Sequence, residues 1–543
     1  MKQFRLTKGD FFGGLTAGIV ALPLALAFGV QSGMGAAAGL YGAIFLGFFA
    51  AAFGGTPSQI SGPTGPMTVV TSATVASFIV VTGSLDSSIG AIVACFALAG
   101  IFQLLMGVFR IGTLIKYIPY PVISGFMSGI GVIIILLQLF PALGQTSPQK
   151  TYEVVTSIGP ALSNVNTWAL MYSLLTIGII YLFPKITKAI PSTLVALLVV
   201  TLLSIFLKKD VPVIGDIPQG FPPLRFGDIL NVSSDLYVLI LESALTLAAL
   251  GAIDSLLTSV IADNVTKTKH NSNQELIGQG IGNTVTGLFA GIPGAGATMR
   301  TLVNIRSGGR NRLSGVIHAL VLLAILLGAG KYAALIPKSV LAGILITVGI
   351  GILDYKGFRH INKVPRTDAV IMIIVLFVTI FLDLLVAVAV GMVMAAILFM
   401  KKMGDITEQQ TKVADASLLI GEGAVTLPEH LRGKVVVKQI QGPLFFGFAS
   451  GFQKMINELS ELRYVILRME KVPFIDQTGM YALEESILSL EQKGIDVLLV
   501  GMQKQPEDML RGIKLIPNLV SEDHLFDNFD RSITWLSNHQ ATS

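Results

Sequence analysis

From Phe11 to Met400 apolar residues come in long runs separated by short polar or Pro/Gly-rich breaks; beyond Lys401 the chain turns charged and mixed. A helix needs about 20 apolar residues to cross a hydrocarbon core of roughly 30 Å. The runs divide into fourteen segments: 11–30, 35–53, 66–82, 88–109, 118–140, 167–183, 192–207, 236–262, 274–291, 297–305, 313–329, 337–353, 368–383 and 385–400. Two are too short for a full crossing, the third after "SGPTGPMT" and the tenth after "GIPGAGATM". They lie seven segments apart. An odd number of spans per half inverts one half relative to the other, and matched interrupted helices mark a transporter's binding site. The expected fold is therefore a polytopic α-helical membrane protein of 14 transmembrane segments in 7+7 inverted repeats, over residues 1–402. After a linker at 403–433, the runs "VVVKQI", "YVILRM" and "DVLLVGM" alternate with the helical patterns "ASGFQKMINELSEL" and "GMYALEESILSLEQKG". That alternation predicts a small α/β domain at 434–540.

Composition agrees: only 13% of the 543 residues are charged, and the mean hydropathy of +0.72 exceeds what a soluble domain can solvate. The net charge of +5 raises the question of a nucleic-acid partner, but the basic residues sit in short loops between apolar runs, which excludes one. With the N-terminus inside, one set of loops holds Arg110, Lys116, Lys185, Arg306, Arg310, Arg312, Lys356 and Arg359, and the other is sparse. The positive-inside rule then puts both termini in the cytoplasm. Cys95 is the single cysteine, so no intrachain disulfide can form.

The two breaks carry the chemistry. An interrupted helix exposes backbone N–H groups at its N-terminus, which attract anions. Pro66 suits a first helical position, Gly65 lets a ligand approach the backbone, and Thr64, Thr68 and Thr298 add hydroxyls. Asp254 and Arg300 are ionisable residues inside apolar segments, where such groups are costly. Thr258 follows Asp254 by one turn on the same face, an oxygen-rich pairing suited to a small hard cation such as sodium. An Asp254–Arg300 ion pair or a proton carried by Asp254 are the other readings, and Arg300 can instead pair with a substrate anion. No nucleophile with its base accompanies these residues, so an enzyme is not expected.

The stretches "GDFFGGLTAGIVALPLALAFGV", "GGTPSQISGPTGPMTVV", "AIDSLLTSVIADNVTKTKHNSNQELIGQGIGN" and "GAGATMRTLVNIRSGG" resemble the SulP family of inorganic anion transporters, and within it the cyanobacterial sodium-dependent bicarbonate branch. The tail resembles a STAS domain. The resemblance implies a mobile core and a dimerising gate, an elevator-like displacement, and a multi-pass place in the plasma (inner) membrane. It also implies a sodium site at Asp254, Thr258, Gly296 and Thr298, anion contacts at Thr64 and Ala297, and a contribution from Phe28. Two positions depart from the pattern: Arg300 stands where the bicarbonate branch has a small residue, and Leu24 where the wider family often has a polar one. In the tail, Gln477 replaces the phosphorylated serine of anti-sigma antagonists, with Thr478 next to it. The expected function is sodium-coupled bicarbonate uptake. Its alternatives are proton-coupled or exchange transport of sulfate, an anion channel, or a sensor that signals through the STAS domain to a protein partner. No cofactor is expected beyond the coupling sodium.

Overall fold

The computed structural model describes residues 7–148, 151–187, 190–215, 220–382, 384–410, 412–415, 433–445 and 462–539. The chain forms two compact units, Met1–Val393 and Met394–Ser543.

A helix occupies each of the fourteen apolar segments. They are α1 (Lys8–Gln31), α2 (Ala36–Phe53), α3 (Gly65–Thr82), α4 (Leu85–Val108), α5 (Tyr120–Ala142), α6 (Thr167–Leu182), α7 (Ser192–Leu207), α8 (Tyr237–Thr266), α9 (Ser272–Leu288), α10 (Thr298–Arg306), α11 (Arg312–Ala333), α12 (Lys338–Ile352), α13 (Arg366–Phe381) and α14 (Leu384–Gln410). Among the described residues, eight helices are long and apolar enough to cross a bilayer: α1 to α6, α8 and α14. Helix α3 belongs to this group with 18 residues, longer than the expected half-helix, because its start lies at Gly65 rather than Pro66. Helix α10 is short, as expected, with 9 residues. Val80, Phe206 and Leu382 are each more than 75% exposed, apolar surface of the kind lipid covers.

Helix packing follows the sevenfold offset. Helix α1 packs on α11 as α8 packs on α4; α1 on α10 as α8 on α3; α4 on α9 as α11 on α2; and α5 on α13 as α12 on α6. Each pair becomes its partner when seven is added to one label and subtracted from the other, the signature of an internal repeat. The same pairs separate a core, α1–α4 with α8–α11, from a second group built on α5, α6, α12 and α13. Small residues let the core helices touch: a Cβ on Gly100 of α4 would lie 2.2 Å from the backbone nitrogen of Thr284 in α9, and one on Gly280 2.4 Å from that of Leu104. At the start of α1, Thr7 and Asp10 form a reciprocal cap, and Asp10 also accepts from the backbone N–H of Arg310 (2.8 Å) and Asn311 (2.9 Å). That carboxylate ties the first helix to the α10–α11 turn. Between α12 and α13, Asp354 accepts from Tyr120 Oη (2.6 Å), Ser124 Oγ (2.5 Å) and the Gly357 N–H (3.0 Å). Burial pushes its carboxyl up, but these bonds outweigh burial and hold it below the ordinary carboxylate value.

In the second unit a five-stranded sheet has the order β3-β4-β5-β6-β7, with β3 (Lys412–Asp415), β4 (Val435–Gln441), β5 (Tyr464–Lys471), β6 (Asp496–Val500) and β7 (Leu525–Phe526). Among the described residues, only the β3–β4 pair of this sheet is antiparallel. The three strands read from the sequence are β4, β5 and β6. The segment 403–433 is not all linker: α14 continues to Gln410, and β3 finds a partner edge in β4. Asp476, at the end of "VPFIDQ", caps the helix Gln477–Gln492 by accepting from the Gly479 N–H at 2.7 Å. All of the helix expected at 449–462 except Leu462 lies outside the described residues.

Candidate functional site

The two breaks meet. Just before α3, β1 (Ser61–Gly62) pairs antiparallel with β2 (Ala295–Gly296), which lies just before α10. The pairing continues through Ala297 N–H to Ile60 O (2.8 Å) and Ile60 N–H to Thr301 Oγ1 (3.0 Å). In a bilayer each backbone polar group needs a partner, and the crossed strands partner one another. Because they run antiparallel, the helices that follow leave in opposite directions with their N-termini together.

Neither N-terminus is capped by a side chain. Thr64 occupies the N-cap position of α3 with extended backbone, yet its hydroxyl donates to Asp254 Oδ2 of α8 at 2.7 Å. Ala297 holds the same position on α10 and has no oxygen to offer. Both helix ends therefore keep their first-turn N–H groups and the positive end of the dipole uncompensated by side-chain oxygens. Thr68 Oγ1 donates to Thr64 O at 2.7 Å, so that hydroxyl supports the break from within α3. Pro66 is the second residue of α3, not the first, and is buried.

The expected cation ligands converge. Thr258 Oγ1 donates to Gly296 O at 2.9 Å and lies 2.7 Å from Thr298 Oγ1. With the Asp254 carboxylate one turn away on α8, they form a set of oxygens from three elements, matching the chemistry of a small hard cation. Asp254, at 6% exposure, has no cationic side chain within 4.0 Å among the described residues. Asp254 and Arg300 therefore form no contact ion pair, although each lies within the other's field. Arg300, 2% exposed, instead donates through Nη2 to Pro63 O in a short hydrogen bond, while its Nη1 has no partner among the described residues. The side chain of the second break thus grips the backbone of the first. A Cβ on Gly62, whose φ is +152°, would lie 2.7 Å from that Nη1, so the position needs glycine on both counts.

The second helix group closes over the first break. A Cβ on Gly65 would lie 2.7 Å from Ile134 Cδ1 of α5 and 3.2 Å from Ile352 Cδ1 of α12. Phe28 is buried in α1, which packs on both α3 and α10, but no polar bond ties it to the breaks among the described residues.

One face of α9 holds both loops and was not singled out from sequence. Glu275, Gln279 and Asn283 recur every fourth residue. Glu275, 1% exposed, accepts four bonds at 2.8 Å: from the N–H groups of Gly55 and Thr56, Gln59 Nε2 and Gln279 Nε2. Gln279 also donates to Ser61 Oγ (2.6 Å), and Asn283 bonds both the N–H (2.9 Å) and the C=O (3.0 Å) of Gly294. Gln59 in turn packs against Gly296, where a Cβ would lie 2.2 Å from Gln59 Nε2. The spacing in "NQELIGQGIGN" carried the signal. Replacing Glu275 with leucine strands four buried donors, and the expected cost is about 4 kcal/mol, read as a lowered unfolding midpoint in detergent; glutamine at the same position should cost less. His318 of α11 also escaped the sequence reading. It is fully buried near Ser61, and neither ring nitrogen has a hydrogen-bond partner among the described residues.

Against known families, residues 7–375 match the model of the sulfate permease family. The chain belongs to that family. Residues 429–531 match the STAS domain, so the permease carries a C-terminal STAS unit. Among relatives, the bicarbonate transporter BicA of Picosynechococcus sp. is 42% identical over 522 residues, 94% of this chain and 92% of that one. Among solved structures, the transmembrane domain of a cyanobacterium bicarbonate transporter BicA aligns with a TM-score of 0.64 and 45% identity, covering 72% of this chain and 98% of that one. The murine Solute Carrier 26 family member A9 anion transporter shares the fold across 99% of this chain and 93% of its own, with a TM-score of 0.84 at 19% identity. This permease is a helical membrane transporter of that fold and not an enzyme.

Proposed function

We propose that the protein is a secondary transporter that takes up bicarbonate with sodium across the plasma membrane, with both termini and the STAS domain in the cytoplasm. The observation that carries the reading is Asp254: a buried carboxylate with no cationic side chain within 4.0 Å among the described residues, beside two hydroxyls and a carbonyl, where two uncapped helix N-termini meet. A cation at the oxygens satisfies the carboxylate, and an anion at the N-termini satisfies the helix ends. Each ion stabilises the other across a short gap, which couples their movement. The anion contacts assigned are Thr64, Gly65, Pro66, Ala297 and Phe28, with Arg300 supplying field rather than a direct fork. The 42% identity to a protein named a bicarbonate transporter supports the substrate.

The core carries every residue of both ion sites, while Gly65 abuts Ile134 and Ile352 of the second group. This division supports an elevator-like displacement of core against gate, with the gate joining two copies as a dimer and the STAS domain meeting a protein partner. The Nη1 of Arg300, without a hydrogen-bond partner among the described residues, favours a second reading, exchange or proton-coupled transport of a divalent anion such as sulfate. Counterflow in proteoliposomes distinguishes them: vesicles loaded with unlabelled bicarbonate should accumulate labelled bicarbonate transiently, and external sulfate should compete poorly. Strong competition by sulfate with its own counterflow would establish the second reading. A large unitary current would indicate a channel, and anion binding without flux a sensor.

A further inference from the structure

A cavity of about 240 Å³ lies at the end of the bundle where α1, α3 and α5 run out and α12 begins, between core and gate. Its polar lining comes from Gln31, Ser72, Gln138, Gln145, Thr146, Ser147 and Lys338, and no carboxylate lines it among the described residues. Three features make it electropositive and unsatisfied. Lys338 is the first residue of α12, whose N-terminus has no side-chain cap and whose first N–H donates to Pro212 O at 2.8 Å, so an ammonium lines the cavity at the positive end of a helix dipole. A cation is normally disfavoured at that end, and among the described residues no carboxylate lies within 4.0 Å of it. Gln31 is half-buried, with both amide atoms closed off and unpaired among the described residues, and Gln138, 6% exposed, makes no hydrogen bond among the described residues. Buried amides without partners are costly unless a ligand or water supplies them.

We propose that this cavity is a second anion site, a vestibule that loads a small inorganic oxyanion before it reaches the breaks. Lys338 supplies the charge, and the amide of Gln138 donates to the anion's oxygens. Ser72 marks the way down: it lies eight residues along α3 from Thr64 on the same broad face, about 12 Å at 1.5 Å per residue. The inference rests on the transport reading and its topology, which put the cavity on the extracellular side.

Lys338→Cys tests it in the full-length protein, because the native Cys95 is fully buried. In proteoliposomes the KM for bicarbonate is expected to rise about fivefold. An external trimethylammonium-bearing methanethiosulfonate should restore it, whereas neutral and sulfonate-bearing reagents should not, and bicarbonate should slow the labelling. An unchanged KM, or equal restoration by the neutral reagent, overturns the vestibule. If Lys338→Cys fails to fold, Gln138→Leu reads the same KM, and an unchanged value there overturns the vestibule too. Absence of flux in the unmutated protein would instead defeat the transport reading, so the two failures are distinguishable.

Discussion

Replacing Arg300 with glycine is expected to weaken a divalent anion far more than bicarbonate. Arg300 is buried and bonded to Pro63 O, one residue before the N-cap of α3, so its charge acts on the anion without needing contact. At an effective dielectric constant of about 20, a unit charge roughly 8 Å away contributes about 2 kcal/mol to a monoanion and about twice that to a dianion. The affinity of bicarbonate should fall roughly 30-fold and that of sulfate, measured as a competitor, roughly a thousandfold. Loss of the Pro63 bond adds a common destabilisation, which a thermal melt in detergent reads separately. Arg300→Lys restores the charge but not the planar fork, so it should recover most of the difference between the two anions. Equal losses for both anions would make Arg300 a pin between the breaks and nothing more.

Replacing Asp254 with asparagine should abolish the response to sodium. The amide oxygen preserves the size of the group and can still accept from Thr64, so the start of α3 keeps its anchor. What disappears is the only formal negative charge in a ligand set otherwise made of hydroxyls and a carbonyl. The half-saturating sodium concentration should rise by about 100-fold or more, since a carboxylate facing a bare cation at low dielectric is worth at least about 3 kcal/mol. Residual bicarbonate flux should then be the same with sodium or potassium outside. A mutant with an unchanged sodium response would remove Asp254 from coupling and favour a site elsewhere.

The sequence and the structure agree where a signal is local. Apolar runs long enough to form helices are visible one by one, and the Gly/Pro breaks before α3 and α10 announce themselves because a bilayer tolerates interrupted backbone only at a lined site. Asp254 and Thr258 share a helix face by spacing alone. The remainder depends on contacts across the chain. Strands of two residues such as β1 and β2 have no period to detect, yet their pairing brings Thr64 and Thr298 into one site. Arg300 has the expected burial but a backbone carbonyl 237 residues earlier as its partner, where charge pairing suggested Asp254. Thr64 looked like an anion ligand and is also the donor to Asp254, linking the two proposed ion sites through one hydroxyl. The polar ladder of α9 was legible in its fourfold spacing, but residues near a turn read as caps, and only tertiary packing assigns them to the loops they hold.

The central claim is that an anion at the paired helix ends moves together with a cation held at Asp254. The most direct measurement is uptake of labelled bicarbonate into proteoliposomes with an inward sodium gradient as the only driving force and the membrane potential clamped to zero. Coupled transport predicts accumulation above the external concentration that collapses when sodium is equalised. Uptake that merely equilibrates, at the same rate with and without the gradient, would contradict it.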